Sequence, residues 1–331
     1  MQSSNLFQKI HDTIASGAGV TLKTTFSADK TQREVITPPD DCVTENGLAF
    51  CRDENTLVEH MFPNPRLILL GGGHVSLPLV QFGAALGFDV WVYDDRLPFA
   101  NPVRFPDAHT VICDDFTRLK ERVAPRTGDY VCILTRGHLH DITCLKALFD
   151  EPENLPRYVG MIGAKRRIAI VKDALGDHPN AALFSRLHAP IGLPIGSVTP
   201  GEIAVSVLAE IICKKRLEAG GKCRQEGTID RDVLSFLAHT TDRVALATVV
   251  ATTGSTPREV GAKMVVTTTG KVIGSIGGGC SEAQVIRKAR DLLDTGGYCL
   301  MQVDLSDKAE EEGMVCGGTM EVLLDIIACS R

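Results

Sequence analysis

The sequence predicts an α/β protein: a doubly wound parallel sheet followed by a smaller, glycine-rich α+β domain. Three observations predict it. Five short, nearly unbroken apolar runs recur between residues 66 and 162, and segments of helix length separate most of them. A triple glycine closes the first of these runs. Beyond residue 240 the alternation gives way to apolar stretches bounded by glycine and threonine turns.

Length and composition agree with this. At roughly 150 residues per domain, 331 residues hold two domains that each bury a core. Hydrophobic residues at 44% and charged residues at 23% are an ordinary globular balance. Lys+Arg number 35 against 41 Asp+Glu, a formal charge of −6, whereas an electrostatic nucleic-acid binder carries a basic excess; no nucleic-acid partner is expected. The N-terminus lacks the basic start and apolar run of a signal peptide, and no stretch of about 18 apolar residues occurs, so no membrane partner is expected either. The eleven cysteines are odd in number and form no CxxC pair. Cys113, Cys132 and Cys213 sit inside apolar runs and read as buried thiols, a pattern that suits a reducing cytoplasm.

Taken in order, residues 1–60 form an N-terminal segment of uncertain fold. Residues 6–14 suit a short amphipathic helix, 20–26 a strand, and Pro38-Pro39-Asp40-Asp41 a break. No chemistry is assigned there, and a small cap or edge hairpin is the expectation. Residues 61–216 form the first full domain. Its runs at 67–70, 90–93, 110–113, 130–134 and 158–162 are apolar without alternation, as in strands buried on both faces. Its last helix has a sharp start: Thr199 at the N-cap, Pro200 at the first helical position and Glu202 three residues after the cap. Ile203, Val207, Leu208, Ile211 and Ile212 follow at helical spacing, and Lys214-Lys215-Arg216 suit the negative end of the helix dipole.

Residues 217–231, rich in glycine and charge, read as a linker. Residues 232–331 form the second domain. Strands are expected at 244–252, 263–267, 271–276, 298–303 and 319–327, with a turn at Thr268-Thr269-Gly270. A helix over 281–294 is stopped by Gly296-Gly297.

Candidate chemistry gathers where strands meet loops. Gly71-Gly72-Gly73-His74-Val75-Ser76 follows a strand and opens a helix, with Gly71 and Gly73 at the first two positions of G-x-G-x-x-G and Ser76 at the third. Glycine suits this place because backbone N–H groups reach a pyrophosphate only where no Cβ intervenes. Tyr93-Asp94-Asp95 ends the next strand about 20 residues on, where a ribose-binding acid belongs, and Asp94 is the candidate. The first domain is therefore Rossmann-like.

Thr135-Arg136-Gly137-His138-Leu139-His140-Asp141 leaves the carboxyl end of another strand, the edge where open α/β sheets bind ligands. Arg136 suits an anion, and His138 and His140 suit proton relay or metal binding. Two histidines and an aspartate lack a further spaced ligand, so no firm metal site is assigned. Lys165-Arg166-Arg167 begin the next helix beside free amides, a plausible phosphate site.

In the second domain, 253–258 with Ser255 and Arg258, and 274–282 with Gly277, Gly278, Gly279 and Glu282, are loops dense in backbone donors. Cys280 and Cys316 stand in such loops rather than in apolar runs and are the candidate reactive thiols.

These motifs together resemble the XdhC/CoxI family, maturation factors for molybdenum hydroxylases such as xanthine dehydrogenase and aldehyde oxidoreductase. The matching text is Gly-Gly-Gly-His-Val at 71–75, Tyr-Asp-Asp-Arg at 93–96, Thr-Arg-Gly-His-Leu-His-Asp at 135–141 and Gly-Met-Ile-Gly-Ala-Lys-Arg at 160–166. It continues with Pro-Ile-Gly-Leu-Pro-Ile-Gly at 190–196, Thr-Pro-Gly-Glu-Ile-Ala at 199–204 and Thr-Gly-Ser-Thr-Pro-Arg at 253–258. Gly-Ser-Ile-Gly-Gly-Gly-Cys-Ser-Glu at 274–282 and Val-Cys-Gly-Gly-Thr at 315–319 complete it. The usual family order places the glycine- and cysteine-rich domain first, and this chain reverses it.

The resemblance implies binding of the molybdenum cofactor, as molybdopterin or its cytosine dinucleotide, protection of it during sulfuration, and delivery to an apo molybdenum hydroxylase. It further implies a cysteine desulfurase as a second partner and a homodimer. Gly71, Gly72, Gly73, His74 and Asp94 would take a dinucleotide or pyrophosphate, with Lys165 and Arg166 neutralising phosphate. Arg136, His138 and His140 would face the pterin phosphate or the metal end, and Cys280 or Cys316 would contact molybdenum or handle sulfur. The chain then reads as a non-catalytic carrier. The alternatives are an NAD(P)-dependent oxidoreductase using the same glycine loop, with a histidine such as His138 as acid/base, and a sulfur-transfer enzyme acting through Cys280 or Cys316.

Overall fold

The computed structural model describes residues 3–27, 31–37, 47–217, 230–277, 279–304 and 318–327. The chain divides into two compact units, one made of Met1–Pro63 with Cys223–Arg331, the other of Asn64–Lys222. The N-terminal segment thus shares a unit with the C-terminal one. The break expected at Pro38-Pro39-Asp40-Asp41 lies outside the described residues.

In chain order the first unit opens with α1 (Ser3–Ala15), β1 (Val20–Phe26), β2 (Thr31–Ile36), β3 (Leu48–Cys51) and β4 (Thr56–Met61). The four strands form an antiparallel sheet in the order β2-β1-β4-β3.

The second unit comprises β5 (Arg66–Leu70), α2 (Ser76–Ala85), β6 (Asp89–Asp94), β7 (Thr110–Cys113), α3 (Leu119–Val123), β8 (Tyr130–Ile133), α4 (His138–Phe149), β9 (Tyr158–Met161), α5 (Lys165–Ala174), β10 (Leu187–His188) and α6 (Pro200–Leu217). Its six strands are all parallel, in the order β10-β9-β8-β5-β6-β7. Period-two alternation explains the unbroken apolar runs, because both faces are covered. Ile68, Leu70, Val131, Ile133 and Val159 face the helices α3, α4 and α5. Leu67, Leu69, Val90, Val92 and Cys132 face α2 and α6. Between β6 and β7 there is no helix: Pro98, Pro102 and Pro106 recur every four residues, and each removes a donor the helix would need.

The start of α6 forms a capping box. Glu202 Oε2 accepts from the amides of Val198 (2.8 Å) and Thr199 (2.9 Å), and the Glu202 amide donates to Thr199 Oγ1 at 3.3 Å.

The first unit resumes with α7 (Arg231–His239), β11 (Val244–Thr253), β12 (Lys263–Thr267), β13 (Val272–Gly274), α8 (Gly279–Thr295), β14 (Tyr298–Asp304) and β15 (Thr319–Ile327). These strands make an antiparallel sheet, β13-β12-β11-β15-β14. Ala245, Ala247 and Val249 of β11 pack toward α8, while Val244 and Leu246 pack on the opposite face with α1, β1, β4 and α7. Buried ion pairs Arg33–Asp325 and Lys263–Glu59 tie the N-terminal sheet to the C-terminal one.

Among the expected buried thiols, Cys132 is buried, Cys213 half-buried and Cys113 exposed. The expectation for Cys113 is therefore corrected: it ends β7, the outermost strand, and lacks a neighbour on one side. Among the described residues no helix is long and apolar enough to cross a membrane.

Candidate functional site

In the parallel sheet the chain winds outward in one direction through β5, β6 and β7 and in the other through β8, β9 and β10. The switch point falls between β5 and β8, and a crevice opens at the carboxyl ends of such neighbouring strands. The loop of residues 71–75 leaves β5 there. Gly71 has φ +124°, and its N–H donates to Tyr93 O at 2.7 Å. A Cβ on Gly71 would lie 2.4 Å from Leu134 O, and one on Gly72 would lie 1.9 Å from Phe99 O. The protein's own backbone therefore demands these two glycines. Ser76 Oγ donates to Gly71 O at 2.5 Å, so the serine at the third position of the motif staples the loop.

Gly73 differs. A Cβ there would meet nothing within 4 Å. The amides of Gly73, His74 and Val75 have no acceptor among the described residues, and His74 is exposed. This is the open part of the cradle, with donors that suit an anion.

Asp94 turns inward. It is 1% exposed. Its carboxylate accepts from the Gly72 amide at 2.9 Å, from Arg96 Nε at 2.9 Å and from Arg96 Nη2 at 3.0 Å. Its carboxylate is thereby spent on fixing the glycine loop. Asp95 faces outward and accepts two hydrogen bonds from the Arg136 guanidinium, one of them 2.7 Å long from Nη2. Hydrogen bonding to Arg136 is the main cause that holds the Asp95 carboxyl down to about 2.

The loop after β8 is welded to the one after β9. Asp141, fully buried, receives Arg167 Nε at 2.7 Å and Nη2 at 2.8 Å, and Thr135 Oγ1 donates to it at 2.7 Å. Arg167 Nη2 also donates to Thr135 O at 2.8 Å. His138, the first residue of α4, is exposed, and His140 lies half-buried against the Phe116 ring at 5.2 Å. Lys165 and Arg166 are exposed on the first turn of α5 and have no ion-pair partner among the described residues. Cations at a helix N-terminus oppose the dipole, so these two hold a positive potential that an anion would relieve. Among the described residues no group of His, Cys, Asp and Glu is arranged to hold a metal ion.

In the other unit, Gly277, just after β13, lies against the loop of residues 254–258. Gly277 has φ +146°, and a Cβ there would lie 2.6 Å from Pro257 Cγ. Gly318 is similarly constrained, its Cβ position being 2.4 Å from Ser255 O. Glu282 Oε1 accepts from Ser275 Oγ at 2.7 Å and from the Ile276 amide at 3.1 Å, so this carboxylate braces its own loop. Ser255 and Arg258 are exposed. Gly279 and Cys280 open α8; the Cys280 side chain, Gly278 and Cys316 lie outside the described residues.

Sequence reasoning overlooked Asp95, the brace of Asp141 and Arg167, and the cover that Phe99 places over Gly72. The adjacent acids Asp94-Asp95 were the available signal for the first. Nothing local announced the others, which arise from residues 26 to 27 positions apart.

Comparison with known proteins follows the same division. Residues 67–211 match the XdhC Rossmann domain and residues 237–304 the XdhC and CoxI family, in that order and together over more than half of the chain. The uncharacterized protein YqeB of Escherichia coli K12 is 36% identical over 159 residues, 47% of this chain and 28% of that protein. A probable xanthine dehydrogenase subunit from Bacillus subtilis 168 is 34% identical over 163 residues, 49% of this chain and 47% of that protein. The chain thus spans less than half the length of these curated relatives. A crystal structure of a xanthine dehydrogenase from Bacillus halodurans aligns with a TM-score of 0.51 at 24% identity, covering 68% of this chain and 66% of that one, a likeness of fold alone. With both family domains present, Rossmann domain first and glycine-rich domain second, the chain belongs to the XdhC and CoxI family.

Proposed function

We propose that the protein is an accessory factor that matures a molybdenum hydroxylase of the xanthine dehydrogenase type. In this reading it binds the molybdenum cofactor as molybdopterin or its cytosine dinucleotide, shields it during sulfuration and hands it to the apo-enzyme in the cytoplasm. The observation that carries the reading is the open cradle at the switch point. Amides of Gly73, His74 and Val75 lack acceptors among the described residues, and a Cβ at Gly73 would enter empty space. That donor set fits a phosphate or pyrophosphate, the group that every form of this cofactor carries.

Within this chain, the three amides would hold the phosphate, Lys165 and Arg166 would neutralise it, and the Asp94–Gly72 bond would keep the loop in its receptive shape. His74 and His138, both exposed, and His140 would orient the remainder of the pterin. Cys280 or Cys316 would receive the sulfur, from a cysteine desulfurase as the donor partner. The molybdenum centre, once delivered, supplies hydroxylation chemistry to the acceptor enzyme and none to this chain. Cytosolic pairing into a homodimer is part of the same proposal.

An NAD(P)-dependent oxidoreductase would use the same cradle, but it calls for a carboxylate at the end of β6 that is open to ribose. Asp94, which ends β6, is buried and engaged by Gly72 and Arg96. Co-expression of a xanthine dehydrogenase with and without this chain tests the proposal. The expected result is sulfurated cofactor and full activity only when the chain is present; full activity in its absence overturns it.

A further inference from the structure

The loops after β6 and β8 are joined by a contact that crosses the cradle. Arg136 leaves the carboxyl end of β8, Asp95 that of β6, and β5 lies between those strands in the sheet. A bridge between the two side chains therefore passes over the end of β5, where residues 71–73 lie. The pair is bidentate, the geometry in which a guanidinium best recognises a carboxylate or a phosphate. We infer that Asp95 is a resident stand-in for the ligand's phosphate: it occupies Arg136, and an incoming phosphate takes its place.

Three features make this pair exchangeable where its neighbour is not. Arg136 and Asp95 side chains are 41% and 18% exposed, whereas Asp141, held by Arg167, is wholly buried. Asp95 has a second cation within reach, Arg96 Nε at 3.7 Å, so release of Arg136 leaves the carboxylate accompanied. The glycine loop that follows β5 also has room, since a Cβ on Gly73 would meet no atom within 4 Å. Arg136 is thus a phosphate-recognition residue kept in position while the cradle is empty. The strap sets a threshold that a weakly bound anion does not overcome.

This inference rests on the reading that the cradle takes a phosphate-bearing ligand, and it concerns how that ligand gains entry. Calorimetric titration of the full chain with inorganic pyrophosphate, at constant ionic strength, tests it in four proteins: wild type, Asp95→Asn, Arg136→Gln and the double variant. Asp95→Asn should bind pyrophosphate about two- to fivefold more tightly than wild type, the range of an exposed ion pair. Arg136→Gln should bind more weakly, and in its background Asp95→Asn should give no gain. A gain of equal size in both backgrounds would mean simple relief of repulsion and would overturn the strap, as would unchanged or weaker binding by a folded Asp95→Asn protein. If none of the four proteins binds pyrophosphate, the anion cradle fails and the strap with it. If the expected pattern appears but no molybdopterin binds, only the choice of cofactor fails; if molybdopterin binds and the pattern is absent, only the strap does.

Discussion

Replacing Gly71, Gly72 and Gly73 by alanine, one at a time, separates what the fold requires from what a ligand requires. In Gly72→Ala the new methyl would lie 1.9 Å from Phe99 O. A carbon–oxygen contact is ordinarily about 3.3 Å, so one segment must retreat by about 1.4 Å. Neither is free to do so: Asp94 and Arg104 Nε hold Gly72 through its N–H and C=O, and the Arg96 guanidinium sits 3.8 Å from the centre of the Phe99 ring. The upper range of overpacking applies, about 2–4 kcal/mol. For a unit of this size that is roughly 4–16 °C in melting temperature. Gly71→Ala adds a left-handed φ to a clash of 2.4 Å and should cost at least as much. Gly73→Ala meets nothing within 4 Å and should stay within about 0.5 kcal/mol of wild type. On the proposed reading its methyl narrows the approach to the amides, and pyrophosphate affinity should fall about tenfold, the loss of roughly one hydrogen bond to a charged group. Differential scanning calorimetry and pyrophosphate titration of the three variants give both readouts. Equal destabilisation by Gly72→Ala and Gly73→Ala, or unchanged pyrophosphate binding in Gly73→Ala, would refute the division.

Four other outcomes are expected. Asp141→Asn leaves Arg167 facing a neutral amide; because Arg167 is 25% exposed, the loss should be about 2–3 kcal/mol rather than the full cost of orphaning a buried charge, measured by urea unfolding. Glu202→Ala removes the acceptor of two amides at the start of α6 and should destabilise that end of the helix, with faster hydrogen exchange at Val198 and Thr199. The folded-state pKa of Asp95 lies below its ordinary 3.8, so the stability due to its pair with Arg136 is present above that value and is lost as pH falls toward about 2. The melting difference between wild type and Asp95→Asn should therefore hold steady from about pH 5 to 8 and shrink below about pH 4. Burial pushes the Cys132 and Cys144 thiols up, while Cys51 and Cys113 are exposed, so iodoacetamide at mild alkalinity should label the latter pair and spare the former until the protein is unfolded.

The parallel sheet was legible because its central strands β5, β8 and β9 are buried on both faces, and burial on both faces leaves an unbroken apolar run. Residues 110–113, 263–267 and 319–327 read as strands and are β7, β12 and β15. The capping box of α6 was legible because its signal is confined to four residues. The N-terminal sheet was harder. β2, Thr31–Ile36, is an edge strand whose polar residues carry little apolar pattern. Arg33 is buried only because Asp325 meets it from 292 positions away. α7 was hidden in a charged stretch, since Asp230 and Asp232 resemble linker residues although Asp230 Oδ1 caps the helix at 3.1 and 3.2 Å. At the site, the sequence pointed to an acid after β6 but not to which of two would face the crevice, a matter of how Gly72 and Arg96 draw Asp94 inward. It offered one reason for the triple glycine, whereas two of the three answer to Leu134 and Phe99.

Mass spectrometry of the full chain, purified without oxygen from a molybdenum-replete cell and sprayed under native conditions, bears most directly on whether this protein carries the cofactor. The expected result is a bound species with the mass of molybdopterin or its cytosine dinucleotide, reduced in Gly73→Ala. A protein that emerges with NAD(H) in its place, and that oxidises a hydroxylated substrate, would contradict it.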